Sequence, residues 1–390
     1  MTSRERLLAV LRGELPDRVP VSAYELVAYD SQSWYNKQPS YKPLMDMVRQ
    51  KTDCLFMAPL PTPPFGNAAD AVRGVEAGPA SINENITIKK RREGKLHFIE
   101  TTYHTPKGQL KSLHRTDDDT FTVWTLEHLL KDIDDVDKYL SFPWQQPDAL
   151  DLTEFAAVQS DLGENGIMMP TVSDAICEVG ELFEFNRFLV FATTQTDRIK
   201  HLMDFINHQQ LIHLKNIMDA GVKAGVNWTE TLFRICGPEY ATPPFLSPDY
   251  FQLFVTPYIE RISDILRQYG AMTRVHCHGK IAKVLDEIMK TEPDAMDPLE
   301  PPPDGDIELG QIKKQTGSKV CLFGNIEMKL LEHGSPQEVR EFVIDAMKQA
   351  KEGGRFVIMP TAAPINDPLS QKTLRNYEVF IETALKYGAY

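Results

Sequence analysis

The chain has 390 residues, 42% of them hydrophobic and 25% charged, which is ample material for a packed core and excludes the disordered and fibrous classes. With 42 basic against 55 acidic side chains the formal charge is -13, which repels a phosphate backbone, so no nucleic acid partner is expected. Cys54, Cys177, Cys236, Cys277 and Cys321 are an odd number of cysteines, far apart and without a CxxC pair, so neither a disulfide framework nor a thiolate-only zinc knuckle is expected and a reducing compartment fits.

In chain order, the amino terminus carries charges instead of an apolar signal core and leads into a short helix over 5–12. Candidate strands follow at 19–25 and 53–58, separated by a helical stretch over 42–51. From 167 onward, short apolar or β-branched runs alternate with longer segments of helical period, the mark of parallel βα units. Strands are read at 167–172, 225–233, 271–277, 295–299, 319–324 and 355–360, with helices at 197–220, 248–269, 281–290 and 335–351. Boundary signals agree: Ser247-Pro248-Asp249 reads as a helix start, and Gly270 and Gly353-Gly354 follow helix ends. No apolar run approaches the roughly 20 residues of a membrane span, so a cytoplasmic protein without a membrane partner is expected.

Eight βα-type repeats are the count of a closed parallel barrel, and the expected fold class is α/β, a (β/α)8 TIM barrel formed by a single domain over 1–390. A bare barrel takes about 250 residues. The surplus lies in the amino-terminal half, over 60–166, as an insertion forming a lid or side layer. Within it the segment 86–116 alternates polar and apolar residues and breaks at Glu93-Gly94 and Pro106-Lys107-Gly108, which predicts a β meander with two tight turns. The acidic run 132–137 reads as a solvated helix face.

The most informative residues are Arg274-Val275-His276-Cys277-His278-Gly279, at the end of the fifth predicted strand. Strand alternation puts His276 and His278 on one side, about 7 Å apart, and Cys277 on the other. At the carboxyl end of a barrel strand the shared side is the mouth of the active site. Two imidazoles there suit a zinc or other borderline metal, although the same spacing serves two histidines that bond to neighbours or to a substrate anion. A catalytic metal needs a third protein ligand. Cys236 and Glu239 in the following loop, Glu230 at the expected end of strand four, and Asp297 and Glu300 after strand six are the candidates, with Glu239 slightly favoured. Each has a structural alternative: Glu230 in an ion pair with Arg234, Glu300 as an anchor of its proline-rich loop, Cys277 as a packed apolar side chain. Asn325, after Phe323-Gly324, serves equally as a substrate-orienting amide or a helix cap. No GxGxxG, GxxxxGK[ST], HExxH or GxSxG motif occurs, which argues against nucleotide binding and serine hydrolysis.

The ordered set of Arg4-Glu5-Arg6-Leu7-Leu8-Ala9-Val10-Leu11-Arg12-Gly13, Pro16-Asp17-Arg18-Val19-Pro20, Leu246-Ser247-Pro248 with Pro257-Tyr258, the strand-five histidine ending in Gly279, and Gly324-Asn325-Ile326 resembles the uroporphyrinogen decarboxylase superfamily of (β/α)8 barrels. True decarboxylases carry an arginine-rich amino-terminal loop that holds the tetrapyrrole carboxylates. Here the strand-one exit 22–30 has no arginine and offers Glu25 and Asp30, the wrong charge for that substrate. The sequence is more similar to the cobalamin-dependent methyltransferases of the methylcobamide:coenzyme M type, in which an HxCG motif and a later cysteine hold zinc. His276 and Gly279 match that motif, His278 stands where the cysteine is expected, and 361–363 holds no later cysteine. Two neutral imidazoles leave a metal more Lewis-acidic than thiolates do, so a thiol acceptor is not secured.

The resemblance implies a zinc-dependent methyltransferase moving a methyl group between a corrinoid protein and a small acceptor. Its metal ligands would be His276, His278 and either Glu239 or Cys236, with Asn325 and Glu230 as catalytic groups. No DxHxxG signature occurs, so cobalamin would come from a partner corrinoid protein. A homodimer is usual for this family. The alternatives are a lyase or decarboxylase acting on a small carboxylated or aromatic metabolite, and a non-catalytic barrel that binds a corrinoid or small ligand.

Overall fold

The computed structural model describes residues 1–62, 84–147, 149–317 and 319–390. The chain is an α/β protein built on parallel strands. Strand β1 (Cys54–Phe56) runs parallel to β6 (Gly166–Met168). Two residues on, β7 (Thr171–Ser173) opens a six-stranded parallel sheet with β8 (Leu232–Cys236), β9 (Met272–Cys277), β10 (Ala295–Pro298), β11 (Cys321–Ile326) and β12 (Phe356–Pro360), each pairing with the next in the chain. Further hydrogen bonds run beyond these strands. Val21 forms a parallel bridge to Ile358 on β12, and its carbonyl accepts from Asp53 just before β1. Phe56 accepts from Met169, and Met168 bridges to Thr231 next to β8.

Strands β9 and β11 are buried at every position, as expected where helices cover both faces of a parallel sheet. The helices between them are set by local signals. Thr2 caps Ser3–Arg12 in a capping box with Glu5, and Gly13 closes it in the left-handed conformation. Ser335 does the same for Pro336–Ala350 through Glu338. Among the described residues no helix is long and apolar enough to cross a membrane.

Several expected boundaries shift. The strand expected over 19–25 is reduced to the single bridge at Val21, and that at 167–172 divides into β6 and β7. The segment 225–233 is mostly a return loop: the preceding helix runs to Ala224, Gly225 caps it, and the Trp228 indole donates to Met218 on that helix at 3.0 Å. The true strand, β8, therefore begins only at Leu232. The helix expected over 248–269 is two helices, Pro248–Phe254 and Thr256–Gln268, broken before Pro257.

Between β1 and β6 lies an antiparallel sheet of β2 (Ile86–Glu93), β3 (Leu96–Thr105), β4 (Gly108–Asp117) and β5 (Thr120–Glu127), in that order. The meander thus contains one strand more than the alternation predicted. The part of the expected insertion over 63–83 lies outside the described residues. Strand β5 reaches the loop after β12, where Phe121 donates to Ile365 at 2.8 Å and Asp367 donates to Asp119 at 3.1 Å. Trp34 and Tyr35 pack with Phe121, the Trp34 and Phe121 rings stacking at 5.3 Å, and Tyr41 packs against both Trp34 and Tyr35. In the acidic run, Asp135 is buried instead of solvated, bound by Lys138 and by the Lys131 amide.

Candidate active site at the carboxyl ends of the strands

Strand register explains how the polar groups meet. His276 on β9 lies opposite Cys236 on β8 and opposite Asp297 on β10. Its Nδ1 is 2.7 Å from the Asp297 carboxylate. The other Asp297 oxygen lies 2.9 Å from Nε of Arg274, two residues earlier on the same strand, and both side chains are fully buried. This contact is an ion pair without hydrogen-bond alignment, since neither atom finds a hydrogen-bond partner. Just past the strand, His278 Nδ1 is held by Glu300, whose other oxygen accepts from Gly279 at 3.2 Å. The two histidine rings are perpendicular with centroids 4.5 Å apart.

Their environments push the two imidazoles in opposite directions. Burial, with Arg234 nearby, lowers the His276 pKa to about 3, against the pull of Asp297. Burial would raise Asp297, but Arg274 and then His276 hold it below the usual carboxylate range. A neutral ring facing an ionised carboxylate must carry its proton on Nδ1, so Nε2 of His276 is an acceptor. Burial also opposes charge on His278, yet Glu300 outweighs it and raises the pKa. The surroundings thus favour the neutral form of His276 and the charged form of His278.

Both face a cavity of about 770 Å³, within the usual range for small-molecule sites. Its wall includes Tyr24, Glu25, Arg234, Cys236 and Glu239. Gly237 makes this wall: at φ +123°, a Cβ there would fall 2.2 Å from the Cys177 Cβ and 2.4 Å from Asp174 Oδ1. The chain can therefore turn sharply after β8 and set Cys236 and Glu239 beside the histidines. Tyr24 stacks on His276 at 6.2 Å between ring centroids, and its hydroxyl accepts from Arg234 at 2.5 Å.

Four expected site residues therefore line one cavity: His276, His278, Cys236 and Glu239. Two do not. Glu230 lies before β8, at the opposite strand end, and pairs with Arg4 at 3.5 Å instead of with Arg234. The misplacement follows from reading β8 too early. Asn325 is buried outside the cavity wall, and its amide nitrogen donates to Leu299 at 3.1 Å, tying β11 to the loop after β10. Asp297 and Glu300 hold imidazole nitrogens and are not free ligands. Arg234 and Arg274 were missed as site residues. The signal for Arg274 was its i, i+2 spacing from His276, and for Arg234 the same spacing from Cys236.

Among the described residues no group of three or more His, Cys, Asp or Glu side chains is placed to hold a metal ion. The donor chemistry agrees: burial pushes the Cys236 thiol up to about 12, and burial also raises Glu239, one of whose oxygens is buried without a partner. The residues present offer two imidazole nitrogens but no converging third ligand, and so do not fit the zinc set that the motif implies.

A family profile described as uroporphyrinogen decarboxylase (URO-D) matches residues 171–384. None of the curated proteins matches the sequence. The fold is similar to that of a methyltransferase from Methanosarcina mazei, with a TM-score of 0.60 and 15% identity over 99% of this chain and 99% of that one. A sugar phosphate isomerase/epimerase from Parabacteroides distasonis is more distant, with a TM-score of 0.33 and 11% identity over 61% of this chain and 77% of that one.

Proposed function

The chain belongs to the uroporphyrinogen decarboxylase family, and from that premise we propose a methyltransferase acting on a small oxygenated or thiol-bearing substrate in the cavity beside His276 and His278. The proposed frame is a (β/α)8 barrel whose staves are the Val21 segment, β1, β6 with β7, and β8 to β12. Likeness in fold to the methyltransferase along the whole chain supports both the frame and the branch. Val123 and Thr125 on β5 line the cavity, which supports the insertion as a lid over it.

The observation that carries this reading is the pair of adjoining imidazoles, each fixed at Nδ1 by a carboxylate, with pKa values driven in opposite directions. Pairs of titratable groups driven apart by their surroundings are the usual mark of an acid and a base. When a methyl group moves onto an acceptor X–H, the acceptor loses its proton, and Nε2 of His276 is the group that receives it. In the reverse direction a substrate oxygen that gives up its methyl group gains a proton, and His278 donates it. Asp297 and Glu300 hold the rings in these roles, and Arg274 keeps Asp297 ionised.

A corrinoid protein belongs to this reading as the partner that supplies or receives the methyl group, and no residue of this chain is assigned to hold its cobalamin. No step runs through zinc, because the donor set does not fit one. The test is to incubate the protein with methylcobalamin and, in turn, a thiol and a phenol, following visible absorption. The expected result is acceptor-dependent loss of methylcobalamin, slowed roughly 10²–10⁴-fold in His276→Ala. No loss with any acceptor overturns the reading. Carbon dioxide released from a carboxylated substrate, with methylcobalamin untouched, establishes the lyase instead.

A further inference from the structure

Two buried guanidiniums, Arg234 and Arg274, lie near one buried carboxylate, Asp297, and only Arg274 is in contact with it. Asp297 is engaged on both oxygens, by Arg274 at 2.9 Å and by His276 at 2.7 Å. Arg234 is only 8% exposed and makes no ion pair among the described residues, and its guanidinium donates a hydrogen bond to the neutral hydroxyl of Tyr24. Its Nε is buried without an acceptor. Asp297 and Glu25 lie near enough to favour its charge, but no carboxylate touches it, and a buried cation without a contact partner is stabilised when an anion arrives. Arg234 lines the same cavity as His276 and His278, so an anion that enters can reach it.

We propose that Arg234 anchors the carboxylate of a small monocarboxylate substrate with an apolar body. This deepens the function proposed above, since it names the substrate class of the same cavity. A planar carboxylate matches the fork of a guanidinium, which is why arginine suits this recognition. The limit to one anionic group comes from the rest of the wall, where Glu25, Glu178 and Glu181 repel a second. The apolar body is accommodated by Leu60, Val172, Leu214, Ile217 and Ile262, which line the same cavity. A substrate held in this way has one fixed end, and its reacting oxygen or sulfur is directed toward the two imidazoles.

Calorimetric titration with benzoate, benzamide and phthalate tests the anchor without needing turnover. The wild type is expected to bind benzoate roughly 10- to 100-fold more tightly than its neutral isostere benzamide, the range for a charge-assisted pair. Phthalate, with a second carboxylate, is expected to bind more weakly than benzoate. Arg234→Met should erase the preference for benzoate, while Arg234→Lys should keep part of it. Equal binding of benzoate and benzamide by the wild type overturns the proposal, and that comparison holds even where Arg234→Met does not fold. So does undiminished benzoate binding by a folded Arg234→Met. Benzoate binding without methyl transfer from methylcobalamin sinks the functional reading alone, and methyl transfer without a carboxylate preference sinks the anchor alone.

Discussion

Asp297 accepts the Nδ1 proton of His276 across 2.7 Å, and this one contact decides which nitrogen of His276 faces the cavity. Asp297 also balances Arg274, so the carboxylate links ring orientation to the charge state of the strand layer beneath it. Asp297→Asn should therefore act twice. The amide no longer dictates the Nδ1–H tautomer, and methyl transfer should fall roughly 10²–10⁴-fold, as for loss of a general base. Arg274 is left buried without a counter-ion, at a cost of about 3–5 kcal/mol in folding stability. Nitrogen NMR of the imidazole reports the tautomer, and urea unfolding reports the stability. A variant with wild-type kinetics and wild-type stability would falsify this account of Asp297.

Glu239 separates an acid–base site from a metal site. Burial raises its pKa, and one oxygen is buried with no partner, so near neutral pH it carries more of the protonated form than an ordinary glutamate. Gln is a close mimic of a protonated Glu. Glu239→Gln should change activity by no more than roughly threefold at pH 6, because the shape and neutral charge are kept. A carboxylate ligand to a metal would not tolerate the same change, and loss of activity together with loss of bound zinc would reverse the assignment.

The parallel strands could be read from the sequence because their apolar runs are buried on both faces and need no partner to be recognised: β9, β10, β11 and β12 lie within two residues of where the runs placed them. β8 was misread because Val226 and Trp228 look like strand residues but pack against the long helix, a tertiary preference that a local pattern does not carry. That error carried Glu230 to the wrong end of the strand. The two histidines were legible from strand alternation alone. Their partners were not, because the pairing of His276 with Asp297 depends on the register of two strands 21 residues apart in the chain. Arg234 escaped for a related reason: its meaning lies in the ion pair it lacks, which only the packed structure reveals.

Asp53 fastens the opening helix to the strands. It is fully buried and accepts from Arg6 at 2.7 Å, from Arg18 at 2.8 Å and from the Val21 amide at 2.9 Å. Asp53→Asn leaves Arg18 without its carboxylate and Arg6 with Asp17 alone, beside the bridge between Val21 and β12. The expected loss is about 3–5 kcal/mol, measured by urea unfolding, with the cavity and its ligand binding unchanged at low temperature. A loss below about 1 kcal/mol, the scale of an exposed pair, would show that this network does not behave as a buried one.

His114 sits in the antiparallel sheet, opposite Ile99 on β3 and Thr125 on β5. It is 1% exposed, and neither ring nitrogen has a hydrogen-bond partner. Burial, with His128 and Lys131 nearby, lowers its pKa to about 4. The unfolded chain has an ordinary histidine near 6.5 at this position, so as pH falls the unfolded state takes up a proton first. The contribution is fully present above about pH 6.5 and is lost progressively down to about pH 4, by up to ~3 kcal/mol. His114→Leu keeps the side chain apolar and removes two unsatisfied nitrogens, so it should flatten the stability profile over that window without lowering stability at pH 7.5. Thermal melts of both proteins across the window check this, and parallel profiles for the two would assign the acid sensitivity to another group.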